Sequence, residues 1–208
     1  VMMVSGELPA ATVAAIDILF PLLLLIFIAR EVLGGGNIRN RPIILIAALL
    51  ALFNGLFHLS KMGIFQPMMG IDRIALHLLM HLVLLLVTVI AGRIVPSFTA
   101  NWLRAHGVSS LPVIDTMTDR FVIILTVSTG LFESLVPLSD VTGLIAIAAA
   151  IAHAYRLSRW RGFATRSDPL LFVLHAAYFW LPVGYLLLGL STFGRLVPAT
   201  VALHALTM

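Results

Sequence analysis

The sequence contains no cysteine and few charged residues, and both absences narrow the classes of protein it can represent. Without cysteine, the chain forms no disulfide, thiolate metal site or cysteine-ligated iron–sulfur cluster. Only 11% of its 208 residues are charged and 61% are hydrophobic, which is far from the composition of a soluble domain. The basic residues form no continuous stripe of the kind that binds nucleic acid. The composition therefore predicts an all-α, polytopic transmembrane helical bundle with membrane lipid as its main solvent.

Apolar segments follow one another along the chain, and most have the length of about 20 residues that crosses a bilayer as a helix. Six are predicted to be complete spans, and a seventh, opening at Pro198, is truncated at Met208. Because the chain also begins at Val1, we expect one transmembrane helical domain, residues 1–208, that is an internal piece of a longer protein. The predicted complete spans are 9–32, 42–59, 74–95 (with Pro96 just past its end), 119–136, 141–157 and 169–190.

Lysine and arginine are distributed unevenly between the two sides of these spans. The first, third and fifth connections, the last beginning at Arg156, carry ten basic residues, whereas the opposite side carries Lys61, Arg73 and Arg195. Basic residues concentrate in cytoplasmic loops, so the first, third and fifth connections are predicted to be cytoplasmic. Arg93, at the predicted end of the third span, is interpreted as a topology anchor.

Four histidines fall inside apolar segments at similar predicted depths: His58, His77, His81 and His204. His58 and His77 each lie sixteen residues, about 24 Å of helix rise, above the predicted cytoplasmic end of their spans. His81 is one turn below His77 on the same helix face, and His204 enters the membrane from the opposite side. Ionisable groups in a bilayer usually face the bundle interior, and imidazole nitrogen suits haem iron or copper. We therefore predict a metal site in the outer half of the bundle.

Two further polar residues are predicted to support these ligands. Asp17, in the outer half of the first span, can accept a proton from a ligand histidine and fix its tautomer. Asn54 precedes His58 by four residues and shares its helix face. The alternative is that the histidines only form hydrogen bonds between helices, with Asp17 as a relay or packing carboxylate. For His153 and His175, near the cytoplasmic ends of their spans, interfacial snorkelling is favoured over ligation.

Four stretches of the chain resemble the NnrS family of bacterial inner-membrane proteins: ALFNGLFHL (51–59), AGRIVPSFTANWL (91–103), RLSRWRG (156–162) and LHALTM (203–208). The resemblance covers nearly the whole chain in order. It implies b-type haem and copper as cofactors, protection during the nitric oxide response, and nitric oxide as a candidate ligand. Family members are longer and carry an early His-x-His-Glu-Met motif that is absent here, so the remaining helices of a full-length protein are expected partners.

The resemblance also assigns positions in this sequence to family motifs. His58 falls on an Asn-x-x-x-His position and His204 on a His-Ala-Leu-Thr position, whereas the roles of His77 and His81 depend on geometry. A loop motif is implied at four residues: Gly92, Arg93, Pro96 and Asn101.

The sequence therefore predicts a multi-pass inner-membrane protein that binds haem or copper and protects against nitrosative stress. The alternative is a transporter or exporter of a metal or nitrosyl–metal species, with intramembrane His and Asp lining a pathway. Transporters often contain repeats with broken helices, and no such repeat is found here. A scaffold that helps assemble respiratory complexes is a third reading. No acid–base pair or nucleophile pattern identifies the chain as an enzyme.

Overall fold

A computed structural model describes residues 9–36, 40–64, 70–193 and 197–207 of the chain. Every regular element in these ranges is helical, as the sequence predicts. The elements are α1 (Ala10–Gly34), α2 (Arg41–Lys61), α3 (Ile71–Ala105), α4 (Thr116–Leu135), α5 (Asp140–Ser158), a short 3-10 helix (Gly162–Thr165), α6 (Pro169–Thr192) and α7 (Ala199–Thr207).

Five of these helices, α1, α2, α3, α5 and α6, are long and apolar enough to cross a membrane. A multi-pass membrane protein is therefore supported, but six complete spans are not confirmed. Helix α4, the fourth predicted span, is not one of them: it has 20 residues, and every stretch of 18 residues within it contains all three of its charged side chains, Asp119, Arg120 and Glu133. The described part of α7 has nine residues, too few to span.

The chain forms two compact units, residues 1–86 and 87–208, and α3 contributes to both. In the first unit α1 packs along α2. Helix α2 has Pro42 in its first turn, where the fixed φ of proline suits a helix start. Lys61 at its end forms a 2.7 Å ion pair with Asp72 in the first turn of α3. The single helical domain expected over residues 1–208 stays a prediction.

In the second unit α4, α5, α6 and α7 pack in order, each on the next. Small residues allow this close approach. A Cβ added at Gly189 would lie 3.0 Å from the carbonyl oxygen of Gly143 on α5. One added at Gly184 would lie 2.6 Å from a methyl carbon of Leu206 on α7. Contacts of this kind are typical of helices packed within membranes.

The expected end of the third helix at Pro96 is wrong, because α3 continues through this proline to Ala105. The residues assigned to a loop motif, Gly92, Arg93, Pro96 and Asn101, are therefore all helical. A proline inside a helix removes the backbone hydrogen bond to the carbonyl four positions earlier, here that of Gly92, and its ring crowds this carbonyl. Membrane helices tolerate proline because neighbouring groups compensate. Pro96 is fully buried.

The start of α4 is fixed by a side-chain cap. The Asp115 carboxylate accepts hydrogen bonds from the backbone N–H of Met117 at 3.2 Å and of Thr118 at 3.1 Å. The Thr118 hydroxyl also donates to it at 2.6 Å. This bond, followed by the two backbone bonds, lowers the pKa of Asp115 below its ordinary value of 3.8.

We expect Asp115→Ala to increase hydrogen exchange at the first-turn amides of α4, because they lose their acceptor. A lowered pKa means that the cap stabilises the helix above the ordinary value and stops doing so as pH falls through the lowered value. Asp115→Asn is the matched control, since asparagine caps equally well without titrating. Identical exchange in Asp115→Ala and the unmodified protein would contradict this cap.

Candidate metal centre and a buried polar network

The first unit brings three of the predicted site residues together. His58 Nε2 lies 2.9 Å from Asp17 Oδ2, and the Asn54 amide donates to the same oxygen at 3.5 Å. The packing of α1 on α2 creates this contact between residues 41 positions apart in the sequence. The His58 side chain is 12% exposed and that of Asp17 is 44% exposed. If Asp17 is ionised, His58 Nε2 carries the proton, and Nδ1 is the nitrogen with a free lone pair.

Asn54 has a second polar atom in the same place. Its Oδ1 is buried and, among the described residues, has no hydrogen-bond partner. Buried polar groups without a partner are rare in folded proteins, and each needs an explanation. This oxygen lies one helical turn from His58. A bound group with a hydrogen-bond donor would therefore satisfy it.

The other predicted ligands are placed only in part. His77 and His81 lie one turn apart on α3, as predicted, with His81 buried and His77 half-buried. His204 is exposed on α7 in the second unit, and its convergence with the first-unit histidines stays a prediction. Within the described ranges, no three His, Asp or Glu side chains are grouped closely enough to hold a metal ion.

The second unit contains a buried polar network that the sequence analysis missed. Arg156 is only 4% exposed, and its Nε and Nη2 atoms both lie 2.8 Å from Asp119 Oδ1 on α4. Its Nη1 donates to the Thr88 carbonyl of α3 at 3.0 Å and to the Tyr178 hydroxyl of α6 at 3.2 Å. Arg156 was counted with the fifth connection, but it lies in the last turn of α5 and its side chain joins four helices. The cytoplasmic location of this end stays a prediction. Opposite charges in neighbouring apolar segments, Asp119 and Arg156, were the available signal.

The donor and the acceptor of each hydrogen bond in this network can be assigned. Arginine only donates, so Arg156 donates to the Tyr178 hydroxyl, whose own hydrogen points to His153 Nδ1 at 2.8 Å. Thr126 donates to the Val122 carbonyl at 2.8 Å, so its oxygen accepts from His153 Nε2 at 3.0 Å. This pattern requires a neutral His153 with its proton on Nε2. Both ring nitrogens are occupied, and His153 is not available as a metal ligand.

Both ring nitrogens of His175 also have hydrogen-bond partners. Its Nδ1 lies 3.1 Å from the Leu171 carbonyl in the preceding turn of α6, and its Nε2 lies 3.2 Å from Thr99 Oγ1 on α3. His153 is completely buried and His175 is 5% exposed. The expectation that these two histidines snorkel to the interface is therefore wrong. They form hydrogen bonds between helices, as membrane histidines commonly do.

Gly92 makes room for the guanidinium of Arg156. A Cβ at this position would lie 1.9 Å from Arg156 Nη2 and 2.5 Å from Cζ, so no larger residue fits without displacing the side chain. Asn101, another motif residue, is exposed instead, and its side-chain oxygen accepts a hydrogen bond from Arg104 at 3.2 Å on the same helix. The motif glycine thus belongs to the buried network.

We expect Tyr178→Phe to lower the free energy of unfolding by about 1–3 kcal/mol, because it leaves buried His153 Nδ1 without its donor. Arg156 also loses an acceptor. Tyr155→Phe is the matched control, because Tyr155 is exposed on α5 and its hydroxyl accepts only from Arg159 in the described hydrogen bonds. Its cost should stay within about 0.5 kcal/mol. Denaturant unfolding in mixed micelles measures both, and equal costs would contradict the network.

The comparisons with known proteins agree with the motif resemblance. The chain matches the family described as "NnrS protein" along residues 1–208. No curated protein matches it significantly, and no solved structure does.

Proposed function

The chain belongs to the NnrS family and is a multi-pass membrane protein, and on that premise we propose that it binds haem and copper and protects the cell against nitric oxide or nitrosative stress. The proposed location is the bacterial inner membrane. We propose that His58 would hold a b-type haem, with Asp17 and Asn54 as its supports. His77, His81 and His204 remain the candidate second ligands.

The observation that carries the proposal is the 2.9 Å hydrogen bond between His58 and Asp17. Histidines that ligate metals almost always donate a hydrogen bond from their other ring N–H to a carboxylate, a carbonyl or water, which fixes the tautomer and makes the ligand nitrogen more basic. Asp17 accepts a hydrogen bond from the Nε2–H of His58, which keeps the proton on Nε2 and leaves the lone pair of Nδ1 for a metal. The buried Oδ1 of Asn54, which has no hydrogen-bond partner in the described part of the chain, supports a bound group beside this histidine.

The donor set fits haem better than it fits a copper ion held by protein alone. A haem needs only one or two axial histidines, whereas a copper site takes several protein ligands at once. Helices packed at the usual distance of 8–10 Å between their axes leave no space for haem. This obstacle does not apply to α2 and α3, because their described residues lack the extensive backbone packing seen between α1 and α2. A haem held here would supply iron that binds a diatomic ligand such as nitric oxide.

The visible spectrum and metal content of the purified full-length protein test this proposal. We expect a Soret band that scales with protein concentration and shifts when nitric oxide is added anaerobically. Elemental analysis should give iron, and copper if His77 and His81 hold a second metal. A colourless and metal-free protein, purified intact from membranes of a haem-replete host, would overturn the proposal and favour the transporter reading.

A further inference from the structure

An apolar groove of about 540 Å³ runs between α4 and α5 in the second unit. Its small residues are Ala148 and Ala152 on α5, which let another molecule come close to the helix backbone. Larger apolar side chains line it from both helices: Met117 and Phe121 from α4 and Ile151 from α5. Phe121 is 58% exposed and Ile151 is 65% exposed, so the groove is open along its length. Its volume lies within the roughly 300–1,000 Å³ of typical ligand pockets.

One end of the groove is polar. Asp115 and Tyr155 lie there, next to the segment that joins α5 to α6. The Asp115 carboxylate is occupied by the cap of α4. The Tyr155 hydroxyl accepts from Arg159 Nη1 at 2.7 Å, and the guanidinium carbon lies 5.3 Å from the centre of the tyrosine ring. Arg159 is thus held at the mouth of the groove, and its five N–H donors exceed what one hydroxyl accepts.

We propose that this groove binds an acyl chain of an anionic phospholipid, whose phosphate contacts Arg159. Helix α5 is long and apolar enough to cross a membrane, so an open apolar groove along it contacts the acyl chains of the bilayer. Tyrosine is enriched at the headgroup level, which matches the position of Tyr155 at the polar end. Arg159, Arg161 and Arg166 all lie in or beside the connection at that end. Basic clusters at the end of membrane helices recognise anionic headgroups.

Electrostatics favours a lipid over a docked helix in this groove. A helix packed over the polar end would remove Asp115 and Arg159 from water, and desolvation of charges is expensive. A phospholipid places only its acyl chain in the groove and leaves its phosphate at the wet interface. The phosphate also offers the guanidinium a charged acceptor with bidentate geometry.

Photo-crosslinking tests the proposal with the full-length protein in nanodiscs of phosphatidylcholine and phosphatidylglycerol. The probe is phosphatidylglycerol with a diazirine in one acyl chain, and mass spectrometry locates the adducts. We expect adducts on the α4 and α5 residues that line the groove. Ala148→Trp fills the groove and should reduce these adducts by at least about fivefold. Ala154→Trp, on the exposed part of α5 outside the lining, is the matched control.

The headgroup preference gives a second readout that does not depend on a bulky substitution. We expect Arg159→Gln to reduce the advantage of the phosphatidylglycerol probe over the same phosphatidylcholine probe by about fivefold. Arg166→Gln removes an equal charge from the same connection and should change it little. Equal labelling by both probes in the unmodified protein would overturn the proposal. So would groove residues that crosslink to protein rather than lipid, which would identify a docked helix as the occupant.

Discussion

Gly92→Ala is expected to destabilise the protein by about 1–3 kcal/mol, although it adds a single methyl group to a helix. The added carbon would overlap Arg156 Nη2, and the guanidinium has little freedom to move away. It is held by Asp119 at 2.8 Å and by the Thr88 carbonyl at 3.0 Å. Gly55→Ala is the matched control. Gly55 lies inside α2, a Cβ there meets nothing within 4 Å, and the change should be neutral or stabilising by up to about 1 kcal/mol.

A double-mutant cycle separates this overlap from a general intolerance of alanine. Arg156→Ala alone should cost about 3 kcal/mol, the lower end for a broken buried pair, because the Asp119 side chain is 29% exposed. In the Arg156→Ala background the cost of Gly92→Ala should disappear, since no guanidinium remains to displace. Unfolding in mixed micelles measures all four proteins. Additive costs would contradict a contact between Gly92 and Arg156.

The second large effect is expected at His58. His58→Ala should remove the haem that we propose it ligates, because no other group in the described part of the chain offers a carboxylate-supported imidazole. Asp17→Asn should leave haem bound with an affinity about 10–100-fold lower, since only the support of the ligand is weakened. Haem content per protein and titration with haem measure these two variants.

His106→Ala is the control for the loss of a histidine. His106 is exposed at the end of α3, where its ring stacks on Trp102 at 3.9 Å, and it should keep full haem content. His204→Ala tests whether α7 contributes a ligand. Full haem and copper occupancy in both His58→Ala and His204→Ala would refute the predicted site and leave these residues as hydrogen-bonding groups.

The helices were predictable because apolar segments of sufficient length and few charges have one stable form in lipid. The end of α3 was not, because proline ends most helices in water, whereas membrane helices tolerate it where neighbouring groups satisfy the freed backbone. The burial of Arg156 was not predictable from a count of basic residues. Such a count treats each arginine as exposed to water, yet an arginine in the last turn of a helix is also stable between helices when a carboxylate, a carbonyl and a hydroxyl are within reach.

The histidines show what spacing does and does not determine. That Asp17 supports one of the histidines was predicted from its depth, because two helices crossing the same layer present residues of equal height to one another, but the sequence did not identify His58 as that histidine. His153 and His175 were misjudged, because each forms a hydrogen bond to a hydroxyl group on another helix. Nothing in the spacing of His153 identifies Thr126 or Tyr178 as its neighbour.

The length of α3 has a mechanical consequence. A helix of 35 residues is about 52 Å long, whereas the hydrocarbon layer is about 30 Å thick, and ordinary tilts of about 20° absorb only a small part of the difference. Part of this helix must therefore extend beyond the hydrocarbon layer. Pro96 lies between Trp102 and Gly92, and a proline is the usual point at which a long helix bends. A bend at Pro96 would change the direction in which the Trp102 end of α3 leaves Gly92, the residue directly beside the arginine that joins four helices.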